Sequence, residues 1–197
     1  IEHSKSVRMG IKKSLMIVDM PNNTYRNPKE ALKNAKLIIK KTKCDAVKLE
    51  GGKKIISIVK SLVKSKIPVM GHLGILPQTE KKFTFKGKKL AERNRILKDA
   101  QLLEKAGIFS VVLECVETKL SKRITETLKI PTIGIGSSVY CDGQVLVTDD
   151  LIGLSESRFR FVKKYLNTYK LINSAVKSFK SDVTKKRFPK TKHSFKY

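Results

Sequence analysis

Two carboxylates, Asp19 and Glu50, each follow a short apolar run, at a position where a buried strand would end. Lys48 precedes Glu50 by two residues, and on a strand this spacing places both side chains on the same side. Carboxylate oxygens suit Mg²⁺, which usually takes one or two carboxylates together with water and substrate oxygens. The ammonium group of Lys48 is suited to an anionic substrate group, and a structural Lys–Glu pair is the alternative interpretation.

Two further side chains with acid–base chemistry, His72 and Glu114, also follow apolar runs. Glu114 comes directly after three apolar residues and is a candidate general base, with a salt-bridged rim glutamate as the alternative. His72 lies between Gly71 and Gly74 and is a candidate hydrogen-bonding partner of the substrate. A histidine alone is more often structural, so its assignment depends on the neighbouring residues.

Six apolar runs of this kind occur along the chain, and they are typical of strands buried on both faces of a parallel sheet. Helical patterns alternate with them, which predicts βαβ units. A β/α barrel builds its active site at the C-terminal ends of its strands. The sequence therefore predicts an α/β fold, a (β/α)8 TIM barrel, with the polar residues at one mouth. The runs are residues 15–18, 46–49, 67–71, 111–113, 130–135 and 144–147.

Amphipathic patterns predict four helices between the runs and two more in the C-terminal tail. Asn27 is the predicted N-cap of the first of these helices, and Pro28 its first residue. The connection over residues 77–89 has no clear period, and a long loop after a barrel strand is a candidate cover for the active site. The predicted helices span residues 28–41, 53–64, 90–106 and 121–128, with tail helices around 161–166 and 171–183.

Length and hydrophobic content limit the domain organisation. The 197 residues, 40% of them hydrophobic, allow one sizeable core and do not favour two full domains. A complete barrel takes about 250 residues, so six strands leave about two β/α units unaccounted for. Residues 1–10 have the pattern of a helix end that leads into a strand. We therefore expect an N-terminally incomplete barrel domain over residues 1–183, followed by a basic arm over residues 184–197.

The formal net charge of +26 suggests nucleic acid or an anionic surface as a partner. The lysines are, however, spread over the whole chain, and the few aromatic residues form no stacking platform. Cys44, Cys115 and Cys141 are far apart, lack metal-ligand spacing and fit reduced, buried thiols of a cytoplasmic protein. No apolar run is long enough to span a membrane.

The strand-end residues also belong to longer motifs, which resemble those of the ketopantoate hydroxymethyltransferase family. Five motifs occur in the family's order and at its spacing, and the resemblance extends from the first residue to the last. They are DMP at 19–21, VKLEGG at 47–52, GHLGILPQ at 71–78, VLECV at 112–116, and IGIG at 133–136 followed by DGQVLV at 142–147.

The resemblance implies a Mg²⁺-dependent barrel enzyme. Such an enzyme transfers a one-carbon unit from 5,10-methylenetetrahydrofolate to 3-methyl-2-oxobutanoate, giving ketopantoate for pantothenate and coenzyme A synthesis. It implies that Asp19 binds both Mg²⁺ and the keto acid, with Glu50 as the other metal carboxylate. Lys48 and His72 are implied to bind the substrate, and Glu114 to accept the proton. A cytoplasmic homo-oligomer, a decamer, is implied, without a membrane partner.

The family also has an earlier metal aspartate with a neighbouring serine, on a strand that this sequence lacks. Two other function classes stay open. One is a Mg²⁺-dependent enzyme of the isocitrate lyase-like type, which makes or breaks a C–C bond beside a 2-oxo acid. Those enzymes tend to have a reactive cysteine on a mobile loop, and none of the three cysteines fits that place. The other class is a basic nucleic-acid-binding protein, which the charge of +26 motivates.

Overall fold

A computed structural model of the chain describes residues 1–80, 84–156 and 159–195. It divides into two compact units, Ile1–Val145 and Leu146–Tyr197, and each is described by itself. The first unit contains the whole sheet and all of the predicted site residues. The predicted barrel domain over residues 1–183 and the arm over 184–197 stay predictions.

The first unit is built on one six-stranded sheet in which every strand is parallel to its neighbours. The strands follow one another across the sheet in chain order, as they do in a β/α barrel. The predicted α/β fold with six strands of an incomplete barrel is therefore confirmed. The strands are β1 Ile17–Asp19, β2 Ala46–Glu50, β3 Val69–Gly74, β4 Ser110–Glu114, β5 Thr132–Ile135 and β6 Gly143–Gln144.

Helices connect the strands of the first unit, at or within a few residues of the predicted positions. The α2 helix begins as predicted, because the side chain of Asn27 accepts a hydrogen bond from the Glu30 amide and Pro28 is in the first turn. Its buried residues include Ala31, Ala35 and Ile38. The helices are α1 Glu2–Gly10, α2 Pro28–Thr42, α3 Ile56–Lys64 after a 3₁₀ turn at Lys53–Ile55, α4 Leu90–Lys105 and α5 Thr118–Thr127.

The core lies between the sheet and the helices that cover it. The central strands β2, β3 and β4 are buried along almost their whole length, which explains why they read as continuous apolar runs. Burial on both faces leaves the strand ends as the place where polar side chains can meet a substrate. The core residues with no exposed surface include Val47, Leu49, Val69, Val111 and Leu113.

The second unit contains α6 at Thr148–Leu151, α7 at Thr168–Thr184 and a 3₁₀ turn at Thr191–His193. The predicted helix over residues 171–183 is confirmed by α7. The predicted helix around residues 161–166 is wrong, because residues 159–166 form turns and irregular backbone. The amide of Tyr165 donates to the Leu151 carbonyl. The rings of Phe159 and Phe161 stack on each other, so these two side chains, two residues apart, point to the same side of the backbone. The last two residues of the predicted arm, and residues 81–83 of the predicted loop, lie outside the described residues.

Candidate active site

The C-terminal ends of β1 to β4 bring the predicted site residues together. Strand register sets their neighbours, because Asp19 pairs with Lys48 across β1 and β2, and Glu50 pairs with His72 across β2 and β3. Gly74, at the end of β3, pairs with Glu114 at the end of β4. The register of the parallel strands thus places all five predicted site residues near the C-terminal ends of the strands.

Lys48 contacts two of the other site residues. Its Nζ lies 3.2 Å from Asp19 Oδ2 and 3.0 Å from His72 Nδ1. The Lys48 side chain is largely buried, whereas 55% of the Asp19 side chain is exposed. Lys48 therefore presents a fixed positive charge beside a carboxylate that solvent or a ligand can reach.

The imidazole of His72 connects Lys48 to the candidate base. Its Nε2 lies 3.2 Å from Glu114 Oε2 and 2.9 Å from the Ile75 carbonyl oxygen, and both titratable side chains are buried. A lysine ammonium has only hydrogen-bond donors, so His72 Nδ1 must accept from Lys48. The hydrogen of the imidazole is then on Nε2, where it faces the carboxylate and the carbonyl. His72 thus holds one oxygen of Glu114 in a defined direction.

Glu50 is the buried member of the predicted metal-binding pair, with 8% of its surface exposed. Burial raises the pKa of Glu50 above its ordinary value, and the nearby charge of Asp19 adds to this, whereas His72 and Lys48 oppose it. One oxygen, Oε2, accepts a hydrogen bond of 3.2 Å from the Gln78 amide. A buried carboxylate near a second carboxylate is electrostatically unfavourable, and a bound cation would relieve that cost.

Gln78 is a site residue that the strand pattern did not single out. Its amide holds Glu50, and its side-chain Nε2 donates to the Met20 carbonyl oxygen at 3.2 Å, directly after β1. Asn22 donates to the Gln78 carbonyl at 3.4 Å, so the residue ties the end of β1 to that of β2. The other side-chain atom, Oε1, is buried without a hydrogen-bond partner among the described residues. The only sequence signal for Gln78 is its place as the last residue of the GHLGILPQ motif.

The backbone around Glu114 is fixed by close contacts. Gly74 has a φ of +100°, and a Cβ there would collide with the Glu114 carbonyl oxygen, so this approach of β3 to β4 requires glycine. That carbonyl accepts a 2.9 Å hydrogen bond from the Ile75 amide. Cys115 follows with a φ of 50°, and burial together with the charge of Glu114 raises the pKa of its thiol to about 11. Cys115 is therefore a protonated thiol at neutral pH and no nucleophile.

Asp19 and Glu50, at the ends of β1 and β2, are the carboxylates that could hold a metal ion. No cluster of three or more histidine, cysteine, aspartate or glutamate side chains with metal-binding geometry occurs in the described part of the chain. Asp19 and Glu50 alone still fit Mg²⁺, because this ion completes its octahedron with water and substrate oxygens. Asp19 is largely exposed and Glu50 is buried, and these two carboxylates are the ligand set expected from the sequence. Metal binding itself stays a prediction.

Comparison with known proteins supports the same interpretation of the motifs. The sequence model of the family described as ketopantoate hydroxymethyltransferase matches residues 1–191. A protein from Pelagibacter ubique (strain HTCC1062), named 3-methyl-2-oxobutanoate hydroxymethyltransferase, is 69% identical over 195 residues, covering 99% of this chain and 76% of the relative. A protein of the same name from Thermosipho melanesiensis is 46% identical over 201 residues, covering all of this chain and 76% of the relative.

Proposed function

Because this chain belongs to the ketopantoate hydroxymethyltransferase family, we propose that it carries out the reaction for which the family is named. It would transfer a hydroxymethyl unit from 5,10-methylenetetrahydrofolate to 3-methyl-2-oxobutanoate, with Mg²⁺, and so make ketopantoate for pantothenate synthesis. The observation that carries this proposal is the continuous polar chain Asp19–Lys48–His72–Glu114, with successive contacts of 3.2, 3.0 and 3.2 Å. This polar chain connects Asp19, a proposed Mg²⁺ ligand, to Glu114, the proposed base.

Substrate binding is assigned to the exposed end of this chain. The keto acid carries a carboxylate beside its ketone, and the largely buried Lys48 ammonium lies 3.2 Å from the exposed Asp19 carboxylate. Asp19 and Glu50 would hold Mg²⁺, which, when bound, offsets the negative charge that develops on the ketone oxygen. Lys48 is held from both sides, by Asp19 and by His72, so it orients the carboxylate with little loss of side-chain freedom.

Proton transfer is assigned to Glu114. Its carboxylate accepts the proton from C3 of 3-methyl-2-oxobutanoate, and the electron pair of that C–H bond moves into the C2–C3 bond. As this happens, the π pair of the ketone moves onto its oxygen. Water breaks the two C–N bonds of the donor's methylene bridge, which releases tetrahydrofolate and leaves the one-carbon unit as formaldehyde. When the ketone re-forms, the C2–C3 pair makes the new C–C bond to that carbon, and the formaldehyde oxygen takes the proton from Glu114 and becomes the hydroxyl. His72 fixes one oxygen of Glu114, which leaves the other oxygen to meet the substrate.

The proposal also covers the cellular location and the assembly of the protein. The three cysteines are unpaired and buried, as in a protein of a reducing compartment such as the cytoplasm. None of the helices in the described ranges has the length and apolar content needed to cross a membrane. A decameric homo-oligomer is proposed from the family resemblance alone.

Product formation by the purified intact protein tests this function. We expect ketopantoate, detected by mass spectrometry, when the protein receives 3-methyl-2-oxobutanoate, 5,10-methylenetetrahydrofolate and Mg²⁺. A chelator should abolish the activity and added Mg²⁺ should restore it. The Lys48→Gln variant should raise the KM for the keto acid, whereas Lys36→Gln, the same charge change on the exposed face of α2, should not. A folded wild-type protein that makes no ketopantoate with all three components would overturn the proposal.

A further inference from the structure

A cavity of about 500 Å³ opens at the start of α4, outside the polar chain described above. It is lined by the last part of the loop after β3 and by the first turns of the helix. Its wall combines one aromatic ring with several basic side chains, a composition that none of the assigned roles uses. The lining residues that matter here are Phe85, Lys86, Lys88, Lys89, Glu92 and Arg95.

The charge of this cavity is positive because its cations outnumber its anions. Lys86 pairs with Glu80 at 2.6 Å, and Arg95 lies 3.7 Å from Glu92. Lys88 and Lys89 are exposed, and neither forms an ion pair with a carboxylate in the described ranges. Two lysines at the mouth are thus free to bind an anionic ligand.

The aromatic part of the cavity is exposed as well. Half of the Phe85 surface is open to solvent, and Lys88 Nζ lies 4.5 Å from the centre of its ring. This contact holds the ammonium group beside the ring face. A ligand with a flat ring followed by carboxylates would therefore find a hydrophobic surface and positive charges in the matching order.

Backbone hydrogen bonds fix the cavity next to the candidate base. The Lys86 amide donates to the Cys115 carbonyl at 2.8 Å, and the Glu117 amide donates to the Lys86 carbonyl at 2.9 Å. Gly87 is buried with a φ of +91°, and a Cβ there would lie 2.9 Å from Leu120, so the loop packs closely against α5. The loop segment that carries the cavity is thereby joined to the residue directly after Glu114.

We propose that this cavity binds the p-aminobenzoyl-glutamyl tail of the folate donor, an inference that rests on the proposed function. The benzoyl ring packs on Phe85, and the glutamyl carboxylates pair with Lys88 and Lys89. The one-carbon end of the same molecule then reaches the substrate beside Glu114. A tail with several glutamyl units carries more carboxylates and binds more tightly than a tail with one.

Direct binding to the intact protein tests this assignment without any turnover. The probes are p-aminobenzoyl-triglutamate and p-aminobenzoyl-monoglutamate, titrated by calorimetry. The double variant Lys88→Gln/Lys89→Gln should weaken the triglutamate about fivefold, as expected for the loss of two exposed ion pairs. The matched control Lys36→Gln/Lys40→Gln makes the same charge change on α2 and should leave binding unchanged. Equal losses in both double variants, or none in either, would overturn the proposal.

Kinetics separate this proposal from the proposed function. In the Lys88→Gln/Lys89→Gln variant, the KM for triglutamyl methylenetetrahydrofolate should rise about fivefold, while the KM for the keto acid and kcat stay unchanged. The cavity assignment alone would be contradicted if the wild-type protein makes ketopantoate but its KM for methylenetetrahydrofolate does not change with tail length. An unchanged KM in the Lys88→Gln/Lys89→Gln variant would contradict it as well. A wild-type protein without turnover would contradict the function, and the calorimetric titration would still decide whether the cavity binds the tail.

Discussion

The Nε2 atom of His72 lies 3.2 Å from Oε2 of Glu114, and both side chains are buried at the ends of neighbouring strands. The opposite ring nitrogen, Nδ1, lies 3.0 Å from the ammonium group of Lys48. β3 lies between β2 and β4 in the sheet, so a single imidazole spans from the substrate-side cation to the candidate base. This relationship makes His72 a positioning residue for Glu114 in the proposed reaction.

Replacement of His72 by alanine should therefore lower kcat by up to about 100-fold, because Glu114 loses the group that fixes its oxygen. The pH profile of kcat should shift as well, since the environment of the carboxylate changes. Steady-state kinetics between pH 6 and 9, with circular dichroism to check the fold, are the measurement. A folded variant with normal kcat and an unshifted profile would show that His72 has only a structural role.

The Asp19→Ala variant should lose Mg²⁺ binding and activity while it keeps its fold, because 55% of the Asp19 side chain is exposed and the core does not depend on it. We expect the Mg²⁺ affinity, measured by calorimetry on the intact protein, to fall about 100-fold or more. Replacing a residue that only hydrogen-bonds to a metal ligand already lowers metal affinity by up to about 100-fold, and Asp19 is a proposed ligand itself. Asp45→Ala removes a carboxylate that holds the Met16 amide and serves as the matched control. Full ketopantoate formation by Asp19→Ala at saturating Mg²⁺ would refute the metal assignment.

The burial of Glu50 predicts a cost in stability that a neutral residue avoids. Its pKa is raised by burial, so the folded protein favours the protonated form, and stability falls as pH rises through that raised pKa. In metal-free protein, Glu50→Gln should thus have a higher free energy of unfolding than the wild type at pH 7, and the difference should shrink toward pH 4. Denaturant unfolding at both pH values measures it.

The matched control for this stability effect is Glu126→Gln, at an exposed glutamate of α5 whose replacement relieves no burial. It should produce no comparable gain at pH 7. If Glu50→Gln instead destabilises the protein equally at both pH values, burial of the Glu50 charge is not a cost to stability and this prediction is wrong.

The thiol of Cys115 should resist alkylation at neutral pH, because burial and the charge of Glu114 raise its pKa to about 11. Labelling with iodoacetamide, followed by peptide mass spectrometry, should show little modification at pH 8 and an increase as pH approaches 11. The same peptide in denaturant is the control for intrinsic reactivity. Rapid labelling of folded protein at pH 8 would instead favour the alternative class of barrel enzymes that use a reactive cysteine.

Much of the fold could be predicted from local patterns. The strands β2, β3 and β4 are buried on both faces, so each leaves a continuous apolar run, and a polar residue marks its end. The α2 helix could be placed because Asn27 and Pro28 form its start by local hydrogen bonding and fixed backbone geometry. These signals depend on residues a few positions apart, which a single sequence displays directly.

Features that depend on distant contacts could not be predicted in this way. Gln78 holds Glu50 and Met20, which are 28 and 58 residues away, and its loop position gives no periodic signal. The spacing of residues 161–166 fits a helix, yet the backbone there bonds to α6, as in the contact from Tyr165 to Leu151. The contact between His72 and Glu114 likewise depends on the register of two strands, which the sequence alone does not specify.

Hydrogen–deuterium exchange at C3 of 3-methyl-2-oxobutanoate tests the central claim most directly, because it reports proton removal without the folate donor. In D₂O with Mg²⁺, the intact wild-type protein should exchange the C3 proton, as followed by NMR. The Glu114→Gln variant keeps the size of the side chain and removes its basic oxygen, so exchange should fall by about 100-fold or more. Exchange at the wild-type rate in a folded Glu114→Gln protein would show that another group removes the proton.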